Sequence, residues 1–157
     1  MSKGKEKTFR QFAALPYAVR DGEFQVALVT TRETGRWIIP KGWPVGDLPG
    51  PDVAIREAFE EAGVVGDVGN EPVGSFQYVK RMDAESRRLC DVLVFPLAVR
   101  EILEDWPERH QRRREWMTPA QAAMAVEEAG LIQLMLDLTD FGDVWETGPR
   151  RPLSLWR

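Results

Sequence analysis

A chain of 157 residues, 43% hydrophobic and 29% charged, has the size and balance of one domain built around one core. Its single cysteine excludes an intramolecular disulfide and a zinc site built on several thiolates. A net charge of −4 excludes a surface that is basic throughout and argues against long nucleic acid as a partner.

The first residues, MSKGKEKTFR, are basic but lack the apolar run of a secretory signal, and no apolar segment approaches the length of a membrane span. The expectation is a cytoplasmic protein with no membrane contact: a flexible segment over 1–8, a domain over 9–140 and a tail over 141–157. Residues 9–20 and 24–31 read as strands around Asp21-Gly22, a hairpin signal. Arg36 to Ile39 is a third short strand. Gly42 to Pro51 is rich in Gly and Pro and reads as a loop. Pro51 or Asp52 opens a helix that Gly63 closes. Val73 to Val79 and Leu89 to Val99 read as strands around the charged segment Lys80 to Arg88. Cys90 falls in the second of these apolar runs and reads as core. Arg114 to Met117 is a short strand, and Thr118-Pro119 starts a helix ending near Gly130. A further helical stretch covers Leu131 to Leu138, and Trp145 and Trp156 in the tail are placed to dock on the domain. Helices between strands predict an α/β fold with a mixed sheet covered on both faces.

The first helix carries Arg56-Glu57-Ala58-Phe59-Glu60-Glu61-Ala62-Gly63. At about 100° per residue, Glu57, Glu60 and Glu61 share one sector, with Val53 nearby, while Ile55, Ala58, Phe59 and Ala62 share the opposite, buried one. Like charges at this spacing repel by about 0.2–0.5 kcal/mol per pair. Arg56, four residues before Glu60, offsets part of that, and a hard divalent ion would offset the rest. A solvated acidic face is the ordinary fate of such a triple, and the triple alone does not decide between the two. Glu127-Glu128-Ala129-Gly130 repeats the end of the pattern. Ala123 and Met124 stand where Arg-Glu would be, so it reads as a helix ending and not a second site.

The stretch before the helix decides. From Gly42 through Arg56-Glu57, Glu60-Glu61 and Gly63, the spacing resembles the box of the Nudix hydrolases without a gap. One position departs: Leu48 stands where that family has its first Glu, which bears on the loop more than on the three helix carboxylates. Thr30-Thr31-Arg32, Arg36-Trp37, Arg100 to Trp106 and Arg113 to Trp116 are similar to the diphosphoinositol polyphosphate and diadenosine polyphosphate phosphohydrolase branch, so the resemblance covers residues 10 to 138. It implies a Nudix-type α/β/α sandwich. It implies Glu57, Glu60 and Glu61 as ligands of Mg²⁺, with Mn²⁺ as the alternative, aided by the backbone carbonyl of Lys41 or Gly42. Glu61, Glu57 and Arg56 become the catalytic set: Glu61 activates water, and Arg56 orients the glutamates.

The same resemblance makes Arg32, Arg36, Lys41, Arg88 and Arg114 the candidate phosphate contacts, since arginine grips phosphate bidentately and lysine acts as a point charge. Solvated surface arginines are the competing reading. His110 reads as a solvated loop residue. Trp43 and Trp106 suit base stacking, whereas Trp37 and Trp116 read as buried strand ends. The implied activity is metal-dependent hydrolysis of a phosphoanhydride bond in a polyanionic small molecule, a diphosphoinositol polyphosphate or dinucleotide polyphosphate. RNA 5′-pyrophosphohydrolysis, another nucleotide-diphosphate hydrolysis and a non-catalytic ligand sensor are the alternatives. Retention of all three helix glutamates argues against the sensor.

Overall fold

A computed structural model describes residues 7–147, with side chains through residue 139. Strand Thr8–Arg20 (β1) is its hub. Its far end turns into Glu23–Thr30 (β2) through Asp21 and Gly22, both at positive φ, 52° and 81°. Two consecutive positive φ values match the right-handed twist of the flanking strands, so the turn signal is fulfilled. Trp37–Ile38 (β3) and Lys41–Gly42 (β4) are two-residue strands; Val64–Val68 (β5), Gly74–Arg81 (β6), Arg87–Ile102 (β7) and Arg114–Met117 (β8) complete the sheet.

Along one edge, β1 pairs in parallel with β7 from Thr8↔Leu89 to Tyr17↔Ala98. Its other edge is divided, with Phe12 and Ala13 facing β4 and Tyr17 to Arg20 facing β2. The far edge of β7 is divided too, between β6 and β5. Strands β3 and β8 pair with β2, and every pairing except β1–β7 is antiparallel. The division of β1 matters for the site, because it brings the Gly-rich loop into the middle of the domain.

Helix Gly50–Glu57 (α1) continues into a π-helical turn at Ala58–Ala62. Pro49 caps α1 without a side-chain bond, Pro51 sits in the first turn, and Asp52 places its charge at the positive end of the helix. A Cβ on Gly50 would meet the rings of Phe12 and Phe95, so α1 lies on their face of the sheet. Alternation puts Phe76, Val92 and Val94 on the other face. There Gly130 abuts Phe76 and Gly74 abuts Leu134, so Ala129–Thr147 (α3) covers that side. The expected α/β/α sandwich is therefore observed, with Leu15, Tyr17, Val26, Leu28, Leu131 and Met135 buried in it.

Three expectations need correction. Helix Pro119–Ala125 (α2) has its N-cap Thr118 in a capping box with Gln121, but it ends before Gly130 because Val126 is extended. Glu127 and Glu128 therefore lie in a link between helices, where Arg36 draws both toward itself at 3.2 and 3.0 Å. The last helix also starts earlier and runs further than 131–138, and it includes residues assigned to the tail. Strand β5 had no expected counterpart; its pairing to β7 is a long-range one. Segment 1–6, the Trp145 side chain and Trp156 lie outside the described residues.

Candidate active site

The box loop enters where β1 divides. Ala14 donates to the Pro40 carbonyl, pinning the loop to the centre of the sheet. Gly42 then passes so close to Glu57 that any Cβ would strike its carboxyl group. Glycine is needed there for close approach, not for backbone freedom.

The π turn changes what the glutamates do. A wider turn rotates the residues after it relative to a regular helix. Glu61 is buried, at 6% exposure, against Glu57, and their carboxyl groups hydrogen-bond to each other. Glu60 points outward and meets Arg56 at 3.7 Å. The three glutamates thus do not form one exposed row: two are brought together and one is turned away. Phe59, expected on the buried side, is 42% exposed for the same reason, while Val53, expected near the glutamates, is fully buried.

Burial is the main cause that raises the Glu61 pKa, from 4.5 to about 8, and its hydrogen bond with Glu57 adds to the rise. Arg112 and Lys41 oppose it. Glu57 is also raised, again mainly by burial, while its bond with Glu61 pulls it down. The two carboxyl groups titrate as a pair, and sharing one proton between them relieves their repulsion. Lys41 is lowered by burial, against the pull of Glu61, and its ammonium lies 4.9 Å from the Tyr78 ring centre.

Two hard carboxyl groups that must share a proton suit a divalent cation in the proton's place. Among the described residues no cluster of three or more His, Cys, Asp or Glu side chains stands ready as a full cage. Magnesium does not need one, since it takes one or two carboxylates and fills its octahedron with water and phosphate oxygens. Glu57, Glu61 and the carbonyls of Lys41 or Gly42 fit that pattern, with Glu60 at its margin.

A distant segment holds the π turn from behind. A helix leaves its last carbonyls without partners. Here Glu108 N donates to Glu60 O at 3.0 Å, Trp106 Nε1 to Glu61 O at 3.0 Å, Arg114 Nη1 to Ala62 O at 2.7 Å, and Leu103 N to Gly63 O at 2.8 Å. Gly63 has φ of 63°, and a Cβ on it would lie 2.7 Å from the Trp106 ring. Arg114 stacks 4.2 Å from the same ring centre.

The candidate phosphate contacts separate accordingly. Arg114 is committed to the carbonyls of Ala62 and Leu103, so it supports the glutamates from behind and is not presented as a phosphate fork. Arg36 is paired with Glu127 and Glu128. Arg32 is exposed and makes one long bond, 3.4 Å, to Gln111. Arg88 is exposed, 4.6 Å from the Phe9 ring centre and 5.9 Å from that of Trp43. Lys80, opposite Arg88 on β6, joins it and Lys41 on the Tyr78 face. Trp106 is used in the clamp and is no base platform. Trp37 and Trp116 are half-buried beneath Arg113 and Arg20, and His110 is exposed as expected.

Sequence reasoning missed Arg112, Glu108 and Glu128. Arg112 opens a run of three arginines that carries no periodic signal, so nothing local marks its first member as buried.

Comparison with known proteins agrees with this geometry. Residues 10–148 match the NUDIX domain family. Nudix hydrolase 18, mitochondrial, of Arabidopsis thaliana is 32% identical over 121 residues, 73% of this chain and 66% of that protein. Nudix hydrolase 12, mitochondrial, of the same plant is 35% identical over 103 residues, covering 64% and 51%. The chain thus spans about half to two thirds of the length of these plant relatives. Bovine diphosphoinositol polyphosphate phosphohydrolase 3-beta is 34% identical over 122 residues, 76% of this chain and 70% of that protein. An Ap4A hydrolase of C. elegans shares the fold with a TM-score of 0.61 at 16% identity, over 86% of this chain and 98% of that one. The match spans most of the chain, and the chain therefore belongs to the NUDIX domain family.

Proposed function

We propose that the protein hydrolyses a phosphoanhydride bond in a highly phosphorylated small molecule, a diphosphoinositol polyphosphate or a dinucleotide polyphosphate, with the help of Mg²⁺ or Mn²⁺. The observation that carries this is the Glu57–Glu61 pair, Glu61 buried and Glu57 half-buried, beside Gly42 and Lys41. The similarity to the bovine enzyme, whose name states its substrate, supports the substrate class.

When bound, a divalent ion supplies Lewis acidity and neutralises charge that develops on the phosphate oxygens. The rest falls to the chain. Glu57 and Glu61 would hold the ion, and Glu61, once the shared proton is lost, would accept a proton from the attacking water. Arg56 keeps Glu60 oriented. Lys41 and Arg88 receive phosphate oxygens, with Arg32 and Arg36 at the rim. Attack at one phosphorus breaks the bridging P–O bond and releases two phosphorylated fragments. The ligand is a small polyanion and not long nucleic acid, and the cytoplasm is the compartment we assign. No helix among the described residues is long and apolar enough to cross a membrane.

The test is a turnover panel with and without Mg²⁺ or Mn²⁺: an inositol pyrophosphate, a dinucleoside polyphosphate, an ADP-sugar and 5′-triphosphorylated RNA. Hydrolysis of the first or second is expected. Glu61→Gln should lower its rate by about 10²–10⁴-fold, the usual cost of losing a general base. Binding of a panel member with no turnover under any metal would instead make this domain a sensor. Preferential cleavage of the RNA would move the substrate assignment.

A further inference from the structure

We propose that Arg112 is a positioning residue for Glu61. The proposal rests on the hydrolase reading above. Arg112 is nine-tenths buried, its side chain 9% exposed, although it belongs to an arginine run. Its Nε donates to Glu108 Oε1 at 2.8 Å, and its Nη1 donates to the Thr30 carbonyl at 3.0 Å. The third arm, Nη2, stands 3.8 Å from Glu61 Oε2.

These anchors differ in kind from a flexible surface pair. Thr30 closes β2 and is itself buried. Its N–H donates to the Arg113 carbonyl at 3.0 Å, and its hydroxyl accepts from Arg113 N at 2.8 Å. The backbone beside Arg112 is thus tied to the sheet. A guanidinium is a rigid planar fork, so fixing two of its nitrogens fixes the direction of the third. That third nitrogen is at ion-pair distance from Glu61 and too far for a hydrogen bond. It attracts the carboxylate toward one orientation without occupying its lone pairs, which stay free for a cation or a water. The Trp106 bond to the Glu61 carbonyl sets the backbone, and Arg112 sets the side chain. With two of its nitrogens anchored and its side chain covered, Arg112 is set to aim at Glu61.

Arg112→Lys keeps the charge but replaces the fork with a point, so it cannot hold both anchors and aim at Glu61. Glu108→Ala removes one anchor and leaves Arg112 in place. Both variants should lose about 10–100-fold in kcat on the best substrate, the scale of an ångström misplacement, with KM within about twofold. Crystal structures of wild type and Arg112→Lys, without substrate, give an independent readout. Glu61 should hold one orientation in the wild type and turn or split in the variant, while the Ala58–Ala62 backbone stays put. A raised KM with unchanged kcat would make Arg112 a substrate contact and overturn the proposal, as would an unmoved Glu61 carboxylate. If the wild type cleaves nothing, the hydrolase reading fails on the panel, and the two crystal structures still decide the role of Arg112.

Discussion

Glu61 sets the site's response to pH. Its folded-state pKa of about 8 stands above the ordinary carboxylate value of 4.5. A raised acid favours folding while it stays protonated, so its contribution is complete below 4.5 and is lost as pH rises through 8. Metal-free wild type should therefore lose thermal stability between pH 5 and 8 relative to Glu61→Gln, which has no proton to lose. Parallel melting curves in chelator would show the gap between the two widening with pH, and a constant gap would refute the shared proton. Two arginines make a second contrast at this scale. Arg114→Ala leaves the carbonyls of Ala62 and Leu103 without their donor and should destabilise by about 1–3 kcal/mol. Arg88→Ala removes an exposed side chain stacked on Phe9 and should leave the melting temperature almost unmoved while raising KM. Melting temperatures and kinetics of both variants check the split.

Among the elements, the π turn depends most on remote residues. Glu60, Glu61, Ala62 and Gly63 each rely on a donor from the 103–114 segment. Gly63→Ala meets two obstacles, the left-handed φ of 63° and the Trp106 ring 2.7 Å away. It should cost about 1–3 kcal/mol or more and should lower kcat, because Trp106 also fixes Glu61. Denaturant unfolding of the variant measures the first, and steady-state rates the second. This dependence also explains what the sequence could and could not show. The Asp21-Gly22 turn, the Thr118-Pro119 helix start and Gly63 as a helix stop were legible because each is settled by neighbours a few residues away. The wheel that placed three glutamates in one sector assumed a regular helix. The structure departs from that wheel where partners more than forty residues away, Trp106 and Glu108, hold the turn. The early end of α2 and the capture of Glu127 and Glu128 by Arg36 have the same kind of cause: a pairing across 91 or 92 positions leaves no periodic trace. The burial of Arg112 is another such contact.

At the scale of the whole molecule, charge is unevenly placed. The chain as a whole carries −4 and repels a polyanion, while Lys41, Lys80 and Arg88 gather on one face. The two fields predict opposite salt effects. If local attraction dominates, as we expect, KM for a polyphosphate substrate rises with added salt, since exposed charges are screened within about 10 Å at 0.1 M. A KM that falls with salt would mean that the net charge governs encounter. Arg88→Ala should flatten the dependence.

The parallel seam between β1 and β7 has a consequence for how the protein is made. Residues 21–86 separate the two strands. At roughly 5–20 residues per second, a ribosome needs about 3–13 s to emit that stretch. The far end of β1 closes early on its hairpin with β2, but Thr8 to Pro16 must wait for Leu89 to Leu97. The strand that organises the finished sheet therefore spends those seconds of translation with apolar residues lacking their parallel partner, an interval in which a nascent chain is open to misassembly.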